Sequence, residues 1–279
     1  MATAKDIVLK PIDAHTAREF IKRVHYSGKV AQNSQIHIGA FLNDKLEGVM
    51  QFGPSLDKRK IQGLVRGTGW NEFLELNRMA FTDALPRNSE SRAIGIAMRL
   101  LRQHAPHLKW VISFADGTQC GDGTIYRASG FVLTGIVENK NLALDENGNA
   151  HHKMTYESNP INTGYTRITG GKNDWGTFIS AKGWTRSVGF QLRYLYFIDP
   201  TARERLTVPI LPFSEIEKRG AGMYKGEKIT RATAEKETGG ISNVDTGGAN
   251  PTVALKHDKQ EKNVGAYTDK KARASANKR

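Results

Sequence analysis

The chain has 279 residues, with 41 Lys and Arg against 28 Asp and Glu, so its formal charge is +13. That balance favours a polyanionic partner, nucleic acid first, and no strongly amphipathic basic helix argues for a membrane surface instead. The single cysteine, Cys120, excludes an intrachain disulfide and a cysteine-cluster metal site, and no leader or run of about 20 apolar residues is present, so an intracellular, soluble protein is expected.

Ile7-Val-Leu9 reads as a short strand. Asp13 is a helix cap, and Ala14, Ala17, Phe20, Ile21 and Val24 recur as one apolar face, with Arg18, Lys22 and Arg23 opposite. His25-Tyr-Ser-Gly28 ends that helix. A cation is welcome at a helix C-terminus, so His25 has a bland reading beside a functional one. Ile36–Leu42 and Leu46–Phe52 are two strands, joined by a three-residue loop, Asn43-Asp-Lys45. From Gly53 to Asn71 the chain carries Lys58, Arg59, Lys60 and Arg66 among glycines, which suits a solvated loop or a track for a phosphate backbone.

The stretch from Glu72 to Phe131 organises the chain. An apolar run to Phe81 reads as a strand, and Pro86-Arg-Asn-Ser-Glu-Ser-Arg92 interrupts it. Ala93, Ile94, Ala97, Met98, Leu101 and Ala105 then recur at helical spacing, and Trp110–Ala115 reads as a buried strand. Strand, crossover helix and strand make a βαβ unit, whose loops at the carboxyl ends of the strands are the usual ligand sites. Asn88 and Ser89 are good caps, and the free amides of the first turn, with Arg87 and Arg92 beside them, suit a phosphate. Simple capping explains the same residues. Asp116 and Asp122 in the following loop each precede glycine, so turn chemistry stands beside a site role for both.

Val132–Val137 reads as a further strand, and Gln191–Ile198 as the last one. Between them, residues 138–190 form a polar, glycine-rich insertion. Its Tyr156, Trp175 and Trp184, interleaved with Lys and Arg, suit stacking on unpaired bases, and core packing of small hairpins is the alternative. His151-His152 is a poor metal pair, because adjacent side chains seldom face one ion. Residues 214–279 hold 14 Lys and Arg, 9 Asp and Glu and two aromatics, a composition expected of a disordered basic tail. The expected domain is therefore 1–213.

The order of strand, phosphate-like turn, helix, strand and Tyr126-Arg-Ala-Ser-Gly-Phe131 resembles the GNAT acyltransferase superfamily. Phe73-Leu-Glu-Leu-Asn-Arg-Met-Ala-Phe81, Leu85-Pro-Arg-Asn-Ser-Glu-Ser-Arg92 and Phe114-Ala-Asp-Gly-Thr-Gln-Cys-Gly-Asp-Gly-Thr-Ile-Tyr-Arg-Ala-Ser-Gly-Phe131 resemble the Mom family of phage DNA-modification proteins. The resemblance runs from about His25 to Phe213. It implies an α/β, GNAT-like fold, a mixed central sheet flanked by helices. It also implies an enzyme that places a carbamoylmethyl group on the exocyclic amine of adenine in double-stranded DNA, in the bacterial host cytoplasm, shielding phage DNA from restriction.

On that reading His25, Tyr26, Asp116 and Tyr126 are the catalytic candidates. Asp116 is the base or amine ligand, and Tyr126 stands where the superfamily often protonates a leaving thiolate. Arg78, Met79, Arg87, Asn88, Ser89 and Ser91 are expected to bind the donor, acetyl-coenzyme A or a relative. Ser27, Lys58, Arg59, Tyr156, Trp175 and Trp184 are expected to contact DNA, with Tyr26 and Trp70 as further stacking candidates for an extruded base. A metal ion held by His25, Asp116, Cys120 or Asp122 is a further alternative, although these show no dependable ligand spacing. The turn departs from the superfamily pattern, with Ser91 where glycine is expected. Acetyl transfer alone would leave an amide, not a group joined through a methylene carbon. Two other classes stay open: an acetyl-coenzyme A-dependent transferase acting on a non-DNA amine, and a non-catalytic DNA-binding antirestriction protein.

Overall fold

A computed structural model describes residues 2–117, 121–224 and 227–228. The main sheet's eight strands are β1 (Val8–Pro11), β2 (Ile36–Leu42), β3 (Lys45–Gly53), β4 (Phe73–Phe81), β5 (Trp110–Asp116), β6 (Val132–Leu144), β7 (Ala150–His152) and β8 (Thr185–Phe197). They form one sheet in the order β1-β2-β3-β4-β5-β8-β6-β7. Only β4 and β5 run parallel, as a strand–helix–strand crossover demands. The expected mixed sheet flanked by helices is therefore what forms.

Helix α1 (Ala14–Val24) lies on one face and the crossover helix α3 (Ser89–His104) on the other. Asp13 caps α1, accepting the Thr16 amide at 2.9 Å. Ala17, Phe20 and Ile21 pack against Val49 and Ala80. Their strand neighbours Met50 and Met79 pack on the opposite core with Ala93, Ile94, Ala97, Met98 and Leu101 of α3. This is strand alternation sorting residues between two faces. The β2–β3 turn is shorter than expected. Lys45 pairs with Leu42, leaving Asn43 and Asp44 in the left-handed region at φ 50° and 58°. Two such residues match the twist of a hairpin, and Asn and Asp tolerate that conformation best.

The segment 53–71 is not simply a solvated loop. It holds helix α2 (Lys58–Gln62), and Leu64 and Val65 are buried with Phe73 and Trp110. Phe73 and Trp110 pair across β4 and β5 with their rings stacked at 4.5 Å.

The feature that positions the site is a seam. Strands β4 and β5 pair only through Phe73, Leu74 and Glu75 with Trp110, Val111 and Ile112. Beyond that point β4 stays with β3 as far as Phe81, and β5 stays with β8 as far as Asp116. The sheet therefore parts along their carboxyl ends, where Ser113 Oγ still donates across to the Leu76 carbonyl at 3.3 Å.

After helix α4 (Thr124–Ala128), β6 and β8 outrun the expected strands and continue pairing to Leu144 and Thr185. Helices α5 (Lys153–Glu157), α6 (Tyr165–Thr169) and α7 (Trp175–Ala181) cover this arm. Ala143, Tyr165, Trp175, Phe178 and Ile179 form a separate small core there. Helix α8 (Ser214–Lys218) carries the packed chain past Phe213, because Ile216 and Ala221 are buried in the main core. Most of the expected basic tail lies outside the described residues.

Candidate active site

His25 stands where α1 ends, its amide bonded to the Ile21 carbonyl at 2.9 Å. The Ser27 amide lies 3.2 Å from His25 Nδ1, and the Ser27 hydroxyl 2.9 Å from the same atom. A backbone amide only donates, so Nδ1 accepts and the neutral ring carries its proton on Nε2. Burial, and then the Arg78 charge, push the His25 pKa down from 6.5 to about 4. The imidazole is therefore neutral at physiological pH, with an N–H to donate. Tyr26 stacks on it at 4.4 Å and is 57 % exposed.

Arg78 continues the line. Its Nε donates to the Lys29 carbonyl at 3.1 Å and its Nη1 to the Asn77 carbonyl at 2.7 Å. Nearby on β4, burial raises the Glu75 pKa, opposed by the neighbouring Ser55 and Asn77 side chains and the Arg78 charge. Lys29 Nζ donates to Thr155 Oγ1 at 2.6 Å, tying the end of α1 to α5 in the insertion. His152, just before α5, is lowered in pKa by burial and then by the Lys29 charge, while the Asp116 and Glu157 carboxylates oppose this. The Asp116 carboxylate, at the end of β5, and the Lys29 charge thus both act on His152. The insertion brings its own histidine to the mouth of the seam.

Tyr126 lies on the other side. It stacks on Tyr194 at 5.3 Å and meets Phe131 edge-on at 5.4 Å, within the core shared with α3. The four expected catalytic residues are thus divided by the sheet, with His25, Tyr26 and Asp116 on the α1 side and Tyr126 on the α3 side.

Asp122 follows the turn reading. It accepts the Thr124 amide at 3.0 Å and the Thr124 hydroxyl, and pairs with Arg127 at 2.7 Å. Among the described residues no three His, Cys, Asp or Glu side chains are grouped to hold a metal. Cys120 lies outside the described residues.

At the start of α3, Asn88 holds φ +68° and caps with backbone only, since its side chain makes no capping bond. Ser91 Oγ turns back to the Asn88 carbonyl at 3.2 Å. Ser89 is fully buried and its hydroxyl has no protein partner. The Ser89 amide donates to the Pro86 carbonyl at 3.1 Å, so an acceptor-rich group such as a phosphate would meet the remaining amides of this first turn. Arg87 is exposed beside it. Arg78 and Met79, expected together in donor binding, face opposite ways: Met79 packs on the α3 side and Arg78 sits beside His25.

The expected DNA contacts divide similarly. Ser27 holds His25. Lys58 lies over the Trp70 ring at 4.5 Å, near the start of β4 and away from Arg78. Arg59 is exposed beside it on α2. The expectation that Trp175 stacks on a base is corrected, because Trp175 is 4 % exposed and packs on Phe178. Tyr156 and Trp184 belong to the same cluster. Tyr156 Oη and Asp145 bracket His151 at 2.6 and 3.1 Å, and Trp184 stacks on His151 at 3.9 Å. Strand alternation splits the histidine pair, turning His151 inward and leaving His152 towards Asp116. Sequence reasoning missed Lys29, His152 and Thr155. Nothing local marks them, since they gain their meaning from contacts across more than a hundred residues.

A model of the Mom protein family matches residues 6–215. The chain belongs to the Mom family. It is 36 % identical over 211 residues to the methylcarbamoylase Mom of Escherichia phage Mu, covering 74 % of this chain and 82 % of that protein. Among solved structures it is similar to the spermidine/spermine N-acetyltransferase SpeG of Vibrio cholerae, with 9 % identity and a TM-score of 0.40 over 73 % of this chain and 99 % of that one. It is also similar to the ribosomal-protein-S18-alanine N-acetyltransferase of Escherichia coli, with 9 % identity and a TM-score of 0.39 over 69 % and 94 %. Among the described residues no helix is long and apolar enough to cross a membrane.

Proposed function

We propose that this chain is a DNA-modifying transferase that places a carbamoylmethyl group on the exocyclic amine of adenine in phage DNA, within the host cytoplasm. The chain is a transferase with a nucleic-acid substrate. Family membership supports the reaction class, and the formal charge of +13 supports the polyanionic substrate. The observation that carries the reading is the line of His25, Arg78, Lys29, His152 and Asp116 along one side of the β4–β5 seam.

The chemistry follows from the amine. Its lone pair is delocalised into the purine ring, so a proton must leave as the new bond forms. Asp116 takes that proton while the amine nitrogen bonds to a methylene carbon of the donor and the donor's leaving group departs. Neutral His25 donates its Nε2–H to the base or to the incoming carbonyl. Half-exposed Tyr26 takes the place of Trp175 as the aromatic on which the extruded adenine stacks. An anionic donor carrier of the coenzyme A type would be held at the first turn of α3, by the Ser89 hydroxyl, the free amides and Arg87. On this reading Tyr126, on that side, protonates its leaving group.

The test is nucleoside mass spectrometry of plasmid DNA from cells expressing the protein, beside an Asp116→Ala control. Carbamoylmethyl and methylcarbamoyl deoxyadenosine are isomers of equal mass, so the product must be matched to synthetic standards by fragmentation. The expected result is carbamoylmethyl deoxyadenosine, absent from the control. Unmodified deoxyadenosine from a folded, DNA-binding protein would overturn the reading in favour of a binding-only role. Acetylation of a small amine without DNA binding would favour an ordinary acyltransferase.

A further inference from the structure

Arg193 sits in a purpose-built seat that the proposed reaction has not yet used. It lies in β8 opposite Phe114 of β5 and Gly135 of β6. Asp116 pairs two positions along, with Gln191. Residues two apart on a strand share a face, and diagonal neighbours on adjacent strands lie roughly 7–8 Å apart. Arg193 and Asp116 therefore share the α1 side of the sheet as diagonal neighbours.

The seat is a bulge. Register shifts between Leu133 and Gly135, so Thr134 and Gly135 together oppose the single Arg193. Arg193 Nε donates to Thr134 Oγ1 at 3.1 Å and Nη2 donates to the Thr134 carbonyl at 2.7 Å. A Cβ at Gly135 would stand 3.1 Å from Nη2, so glycine leaves room for the guanidinium. These bonds use the Nε–Nη2 edge of the fork and leave both Nη1 hydrogens, with one on Nη2, unspent. Burial depresses the Arg193 pKa, and no neighbouring charge enters its causes. Among the described residues Arg193 makes no ion pair, although a half-buried guanidinium normally has a carboxylate or another anion.

We propose that Arg193 binds a phosphodiester of the DNA strand that carries the target adenine, fixing that strand over Asp116. The inference rests on the DNA reading above. The donor-anion seat at Ser89 is on the other side of the sheet, which leaves the nucleic-acid backbone as the anion for this one. A guanidinium end presents two parallel N–H groups to a phosphate, a fit that lysine lacks.

The experiment scans a duplex with single methylphosphonate substitutions, each removing one phosphate charge, against wild type, Arg193→Met and Gly135→Ala. Wild type should show one phosphate beside the target whose neutralisation weakens binding by about tenfold. Arg193→Met should be insensitive at that phosphate alone, and the slope of log affinity against log salt should fall by about 0.9. Gly135→Ala keeps the charge but crowds Nη2, so sensitivity at the same phosphate should shrink while the salt slope changes less. A merely structural Arg193, holding the bulge carbonyl, would lower thermal stability and leave the pattern of sensitive phosphates unchanged. That pattern, in whichever variant folds, would overturn the proposal. Wild type failing to bind DNA at all would instead overturn the DNA reading on which it stands.

Discussion

His25 links site chemistry to measurable stability. The ring is packed at the end of α1, against Tyr26 and within the field of Arg78, and its pKa falls from 6.5 to about 4. The unfolded chain therefore binds a proton between those values that the folded chain refuses. Stability from this residue is fully present above pH 6.5 and is lost as pH falls towards 4. At roughly 1.4 kcal/mol per pH unit, the drop corresponds to at most about 3 kcal/mol, since the ring keeps some solvent contact. The perturbation is His25→Gln, which cannot take up a proton. Urea unfolding at pH 7 and pH 4 measures the loss for each protein, and the difference between the two losses isolates His25 from the carboxylates. Wild type should lose about 2–3 kcal/mol more than His25→Gln over that interval. Equal losses, or an imidazole seen by NMR to titrate near 6.5, would refute the buried, neutral histidine. They would also remove the Nε2–H donor from the mechanism.

Trp175→Ala should cost the insertion about 3–5 kcal/mol, because a 4 % exposed indole leaves a cavity. Limited proteolysis should then cut between residues 145 and 184, and DNA modification should fall although His25 and Asp116 are intact. Ser89→Asp should abolish binding of an anionic donor, measured by calorimetry, because a carboxylate would occupy the phosphate seat, whereas Ser89→Ala should weaken it only a few-fold. Lys29→Met removes the 2.6 Å bond to Thr155 and should lower modification by about tenfold with little change in thermal stability. Replacing Lys58 and Arg59 together with Met should reduce the salt slope of DNA binding by at most about 2 while leaving the modified fraction at saturating DNA unchanged.

Several elements were legible in the residues alone. The 3.6-residue spacing from Ala93 to Leu101 defines α3, Asp13 marks the start of α1, and the apolar run to Ala115 is β5. These are local signals of periodicity, capping and continuous burial, and they are written within a few turns of chain. The insertion was not legible. Its aromatics have the same composition whether they stack on bases or on each other. Only the pairing of β6 with β8 out to Leu144 and Thr185 makes a surface against which Trp175 and Phe178 can bury. The site divides the same way. Asp116 and His25 stand at element ends, a position that sequence displays. His152, which stands beside Asp116, and Arg193, which shares its face of the sheet, come from other parts of the chain, and Lys29 is held by Thr155, distant from it in sequence. Spacing in sequence sets faces and ends of single elements. The seam between β4 and β5 and the bulge beneath Arg193 arise from strand register across the sheet, which is settled only when non-local strands meet.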